Sequence, residues 1–174
     1  MNSPNARVLT AEFAGTFMLV LSILGAAFHA FDAPEGAAGI LGVALSVGFT
    51  VMALAYALGH VSGAHFNPTI TLGLIAGGRI GSGAAVGYIL AQCAGAVAAC
   101  GVLAVVGGAP ASFGANGYGE LSITKASLTS VFLIELVLTG FLVFAIMGAS
   151  NRRAPAGFLP LVGGGVLAVA HIVS

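Results

Sequence analysis

The sequence predicts an all-α polytopic membrane protein: five spanning helices plus one re-entrant half-helix, laid out as an inverted repeat that is incomplete at the C-terminus. Three observations predict it. Hydrophobic residues are 59% of the 174 and charged residues only 6%, with a mean hydropathy of +1.10, whereas a water-soluble domain carries about 25% charged residues. Asn67-Pro68-Thr69 stands between two long apolar runs and opens a stretch too short to cross a bilayer. Glu12, with Thr16 four residues on, is matched by Glu135 with Thr139.

The first span is placed at about 8–28 and is retained, because a single Arg7 and an apolar run longer than a signal core do not make a cleavable leader. After a turn-forming connection from His29 to Gly36, the second span follows at about 37–59. The half-helix comes next. The Asn67 side chain caps it, and Pro68 is tolerated at the first helical position, where its missing N–H is harmless. From Thr69 to Gly77 such a helix rises about 15 Å against a hydrocarbon core of about 30 Å, so it reaches the midplane and stops. The third span, about 84–107, carries Cys93 and Cys100, read as buried small hydrophobes rather than as metal or redox groups. At its start, Gly83-x-x-x-Gly87 is a small-residue pattern for close helix approach. A polar, glycine-rich loop from about Gly108 to Lys125 leads to the fourth span at about 127–148. The basic connection Ser150–Pro155 leads to the fifth, at about 158–173.

A cytoplasmic N-terminus puts Arg7, Arg79, Arg152 and Arg153 inside and leaves Lys125 outside with Asp32, Glu35 and Glu120. This is the orientation the positive-inside rule prefers. A net charge of 0 without a basic run excludes nucleic acid as a partner. His60 and His65 are five residues apart, not the four of a helical zinc motif, and no phosphate-binding glycine loop with its lysine is present, so neither enzyme chemistry, metal nor cofactor is expected.

The two Glu-x-x-x-Thr copies lie three spans apart, and an odd number of spans inverts the second. The single incomplete domain, 1–174, thus divides into a first repeat, 1–107, and a partial second repeat, 125–174. Asn67 follows Glu12 by 55 residues, and the same interval after Glu135 falls near position 190, beyond Ser174. A carboxylate facing lipid is costly, so Glu12 and Glu135 are read as structural, each accepting bonds from backbone N–H groups of a re-entrant loop. A proton or ion path and an interfacial position are the alternatives.

Gly59-His60-Val61-Ser62-Gly63-Ala64-His65-Phe66-Asn67-Pro68-Thr69-Ile70-Thr71 resembles the first signature of the major intrinsic protein family, and in particular its bacterial water-selective members. Ala11–Thr16, Gly78-Arg79, Asn116–Glu120, Ala154–Phe158 and His171–Ser174 strengthen the likeness, which covers nearly the whole chain. It implies an aquaporin-like fold with two half-helices meeting at the midplane, four parallel channels in the full-length parent, and a bacterial inner-membrane location. The function implied is passive water movement through a lipid-embedded pore, with no catalytic residue. Glycerol or small neutral-solute transport is the alternative within transport, and a non-conducting structural or assembly fragment is the alternative outside it.

The resemblance also implies site residues. Asn67 donates its amide N–H groups to passing water, or serves only as a helix cap. Pro68 is structural, and Thr69 replaces the usual alanine. The backbone carbonyls of Gly63, Ala64, His65 and Phe66 accept hydrogen bonds from water. His60 is assigned a structural bond rather than pore lining. His171 aligns with the histidine of the selectivity filter, while the filter aromatic is replaced by Val47, leaving the constriction wider or shaped by another side chain such as Phe49. The filter arginine belongs to a second signature outside these residues.

Overall fold

The structure is a computed structural model that describes residues 4–31, 39–107, 117–122 and 124–173. The expectations that concern Asp32, Glu35, Asn116 and Ser174 lie outside the described residues. Among the described residues six α-helices follow one another: α1 (Ala6–Phe31), α2 (Gly39–Ser62), α3 (Pro68–Ala76), α4 (Ser82–Gly107), α5 (Leu128–Ala149) and α6 (Leu159–Val173). A single 3-10 turn at Gly119–Leu121 precedes α5, and no strand occurs among the described residues. The helices α1, α2, α4 and α5 are long and apolar enough to cross a membrane. The fifth expected span forms, but as a 15-residue helix. It rises about 22 Å, less than the hydrocarbon thickness.

Each helix begins where its sequence allows. The Ser127 hydroxyl caps α5 by accepting from Ser130 N at 3.1 Å. Pro160 sits in the first turn of α6, where no intrahelical N–H is missed. Packing places α1 against α2 and α4, α2 against α6, and α3 between α4 and α5. Small residues set the closest crossing: a Cβ on Gly48 of α2 would stand 2.7 Å from the Gly164 carbonyl oxygen of α6, so backbones meet there without intervening side chains. The Gly83-x-x-x-Gly87 pattern does not act as a pair. Gly83 faces open space, whereas Gly87 lies under Pro4 and Leu9.

Two apolar clusters hold the bundle. Leu19, Val43, Val47 and Phe66 form one, between α1, α2 and the segment before α3. Ile70, Leu74 and Leu142 form the other, between α3 and α5, and Leu167 of α6 packs against both. The outward faces are also apolar, with Phe132, Leu136 and Phe144 of α5 exposed, as suits a hydrocarbon surround. Cys93 and Cys100 correct the sequence reading: both are free thiols on the exposed side of α4. Apart from Tyr88 and Gln92, α4 is apolar all round, so its hydropathy carries no periodic signal for which side faces inward.

Basic segments gather at one end. Arg79, in the α3–α4 turn, donates from Nη1 to the Ser150 carbonyl at 3.3 Å, and Pro4 packs near the start of α4. Arg7, Arg79, Arg152 and Arg153 therefore share an end of the bundle.

Candidate functional site

The chain turns back into the bundle between α2 and α3 over five residues, 63–67. Gly63, Ala64 and Phe66 have φ of 89°, 54° and 51°, so two side-chain-bearing residues sit in the left-handed region. Each costs on the order of 1–3 kcal/mol unless the surroundings hold it. Glu12 of α1 does the holding. Fully buried, its Oε1 accepts from the Ser62 hydroxyl at 2.6 Å and His65 N at 3.1 Å, and its Oε2 from Phe66 N at 2.8 Å and Gln92 Nε2 at 2.7 Å. Four donors occupy the four lone-pair sites of the carboxylate, and bonds to a charged acceptor are the strong kind.

Around this centre the network closes. Tyr88 donates to the Ser62 carbonyl at 2.6 Å, and the Thr16 hydroxyl donates to the Phe66 carbonyl at 3.1 Å. Gln92 Nε2 also donates to Thr71 Oγ1 at 3.0 Å, and Thr71 Oγ1 in turn lies 3.2 Å from the Asn67 carbonyl. His65 Nδ1 is 3.1 Å from Thr71 Oγ1, and its ring packs on Tyr88 with centroids 4.6 Å apart. No buried side-chain polar atom among the described residues is left without a partner.

Asn67 stands at the half-helix N-terminus in extended conformation, φ −151° and ψ 128°. Its Oδ1 accepts from Thr69 N at 2.8 Å, which leaves both N–H bonds of the amide free to donate. Capping and donation are thus compatible in one side chain. The helix N-terminus adds positive potential at the same point.

A cavity of about 300 Å³ opens beside this segment. Gly63, Ala64 and His65 line it, and their carbonyls accept no hydrogen bond among the described residues. The walls opposite are mainly apolar, including Val51, Ile70 and Leu74. Asn67 is not among the lining residues.

Several residues stand elsewhere than the sequence placed them. The Phe66 carbonyl is held by Thr16 and its ring is buried in the core under Gly15, so Phe66 does not extend the row of free carbonyls. His60 makes no structural bond among the described residues and lines the cavity instead. Glu135 is exposed and Thr139 half-buried, and neither has a hydrogen-bond partner among the described residues. The segment that Glu12 binds follows it by 50–54 residues, an interval that runs past residue 174 when counted from Glu135.

On α2, Val51, Ala55 and Gly59 line the cavity, and Val47 continues that face one turn farther but is fully buried in the Leu19–Phe66 cluster. Phe49 is rotated about 200° from Val47 around the helix and is 62% exposed, so it does not shape a constriction in place of Val47. His171 makes a bond of 2.9 Å from Nδ1 to the Leu167 carbonyl one turn back. A carbonyl only accepts, so Nδ1 carries a proton, and Nε2 is the ring nitrogen left free of this bond.

Ser62, Tyr88, Gln92 and Thr71 were missed as partners. Gln92 was the available signal, since an amide in the middle of an apolar span needs an internal acceptor, and Tyr88 lies one turn away on the same face.

Together these features define a polytopic membrane protein built around a half-helix that re-enters its own bundle. The chain belongs to the major intrinsic protein family, which it matches over residues 1–174. It is 44% identical over 171 residues to a protein of Brucella melitensis named Aquaporin Z, covering 95% of this chain and 75% of that protein. The X-ray structure of the aquaglyceroporin from Plasmodium falciparum superposes with a TM-score of 0.73 at 25% identity, over 96% of this chain and 70% of that one.

Proposed function

We propose that the protein is a passive water channel of the bacterial inner membrane, with a cytoplasmic N-terminus and a homotetrameric assembly. The observation that carries this reading is the juxtaposition of donor and acceptors on one short segment: the free amide N–H groups of Asn67 come two residues after the last of the unpaired carbonyls of Gly63, Ala64 and His65. A water molecule leaving bulk needs both kinds of partner, and a row of carbonyls ending at an amide donor replaces its hydrogen bonds in sequence. The positive end of α3 orients the water oxygen toward Asn67 and opposes cations. No bond is made or broken, so neither an enzyme activity nor a cofactor is invoked.

The likeness to Aquaporin Z supports water as the substrate and a bacterial membrane as the location. Arginines gathered at one end support the orientation. The broad apolar outer faces suit lipid and neighbouring subunits. Repeats 1–107 and 125–174 carry Glu12 and Glu135 at equivalent places, His171 contributes to the selectivity filter, Val47 backs the pore wall from within the Leu19–Phe66 cluster, and Pro68 and Thr69 begin the half-helix. A second reading, transport of glycerol or another small neutral solute, draws on the aquaglyceroporin likeness.

The test is stopped-flow light scattering on liposomes that contain the purified chain, challenged in turn with an impermeant osmolyte and with glycerol. Water flux above that of empty vesicles, abolished by Asn67→Trp without loss of insertion, is the expected result. Glycerol flux of the same order would favour the second reading. Inserted, folded protein without water flux would refute the channel reading and leave a structural role.

A further inference from the structure

Besides the imidazoles of His60 and His65, the cavity wall carries a phenol ring, Tyr56 of α2, and that residue is tied across the bundle. Its hydroxyl donates to the Gly157 carbonyl at 2.9 Å, joining α2 to the segment that leads into α6. Both partners line the cavity, together with Leu159 and Pro160 of that segment. The ring is 56% exposed, so packing does not fix its position. The hydrogen bond does.

Gly157 is suited to its part. Its φ of 83° lies in the region that side chains disfavour, and this turn presents the carbonyl toward α2. The connection between α5 and α6 is thereby held at two points, at Ser150 by Arg79 and at Gly157 by Tyr56. Between those points Arg152 and Arg153 are exposed.

Building on the channel reading above, we propose that Tyr56 is a specificity-determining residue of the pore: its tethered ring sets the cross-section at the end of the cavity nearest α6 and turns back neutral solutes larger than water. The single hydroxyl proton is engaged by Gly157, so the phenol oxygen faces the cavity only as an acceptor. Water, a small donor, passes such a group readily. A polyol must fit its carbon backbone past a ring that cannot swing aside.

Tyr56→Phe keeps the ring and removes the tether, and Gly157→Ala keeps the hydroxyl and strains the carbonyl that receives it. Two readouts apply to the full chain: the ratio of glycerol to water permeability in liposomes, and the rate of trypsin cleavage at Arg152 and Arg153 in detergent, with cleavage at Arg7 as the internal reference. Both variants are expected to raise the ratio and the cleavage rate by about two- to tenfold, the range that corresponds to losing one hydrogen bond. Faster cleavage with an unchanged ratio would overturn the specificity role. An unchanged cleavage rate would overturn the tether itself. A wild-type chain that inserts yet passes no water would refute the channel reading and this proposal with it, a result separable from the others because cleavage does not depend on flux.

Discussion

Glu12→Gln tests the centre of the structure. Each carboxylate oxygen receives two donors, Ser62 Oγ and His65 N at Oε1, Phe66 N and Gln92 Nε2 at Oε2. In glutamine one of these oxygens becomes an NH2 group that faces donors. The least costly arrangement puts it beside Ser62, whose hydroxyl can reverse and accept, and strands the His65 N–H. A buried unpaired N–H costs about 1–3 kcal/mol, and the two surviving bonds each lose about 1 kcal/mol with the charge. The expected destabilisation is about 3–5 kcal/mol, in the range for breaking a buried charge interaction. At roughly 2–4 °C per kcal/mol for a chain of this size, the melting temperature should fall by about 6–20 °C. The assay is thermal unfolding of detergent-purified protein, followed by circular dichroism. Glu135→Gln is the control within the molecule, because Glu135 occupies the same motif but is exposed and unpaired among the described residues. Its shift should stay below about 2 °C, since surface substitutions fall within about 0.5 kcal/mol. Equal shifts for the two variants, or no shift for Glu12→Gln, would refute the argument that one carboxylate holds the reversal.

Asn67→Asp keeps the oxygen that caps α3 and removes both amide donors; the variant should fold with wild-type thermal stability yet conduct water more slowly, as stopped-flow measurement would show. Gly48→Val places branched carbons against the Gly164 backbone, and should cost about 1–3 kcal/mol in detergent unfolding. Gly165→Ala, which meets nothing within 4 Å, should cost nothing measurable. Tyr88→Phe removes one buried bond to the Ser62 carbonyl while retaining its ring, and a loss of about 1–3 kcal/mol is expected from the acceptor left behind.

Much of the architecture was legible because lipid imposes simple rules on sequence. Apolar runs of spanning length gave α1, α2, α4 and α5 nearly to their ends, and Asn67-Pro68 gave the start of α3, since an amide cap and a ring without N–H both suit the same two positions. What resisted was direction. On a soluble helix, polarity marks the outer face. Here α4 is apolar on both faces apart from Tyr88 and Gln92, so the apolar pattern around Cys93 and Cys100 gave no sign of which side they occupied. The site was legible to the extent that its polar groups were scarce: Glu12 stood out and invited a search for donors. Its side-chain donors were harder to name, because Ser62 and Gln92 come from two places in the chain, the end of α2 and the middle of α4, that only the packed bundle brings together. Phe66 was misplaced for a related reason. Its φ of 51° rotates the carbonyl toward Thr16, and nothing in a non-glycine residue announces that conformation.

The Glu12 joint also has a history within each molecule's synthesis. The carboxylate emerges from the ribosome first, its backbone donors at His65 and Phe66 emerge 53 and 54 residues later, and Gln92 only after 80. During that interval α1 carries an acidic group whose final partners do not yet exist, and hydrocarbon offers it none. Three of its four donors, Ser62, His65 and Phe66, arrive together as the end of α2 and the segment before α3, and Gln92 completes the set. The joint that fixes α1 is therefore made by contacts far apart in the chain, and the first helix reaches its final polar surroundings only when the end of α2, the segment before α3 and α4 are all in place.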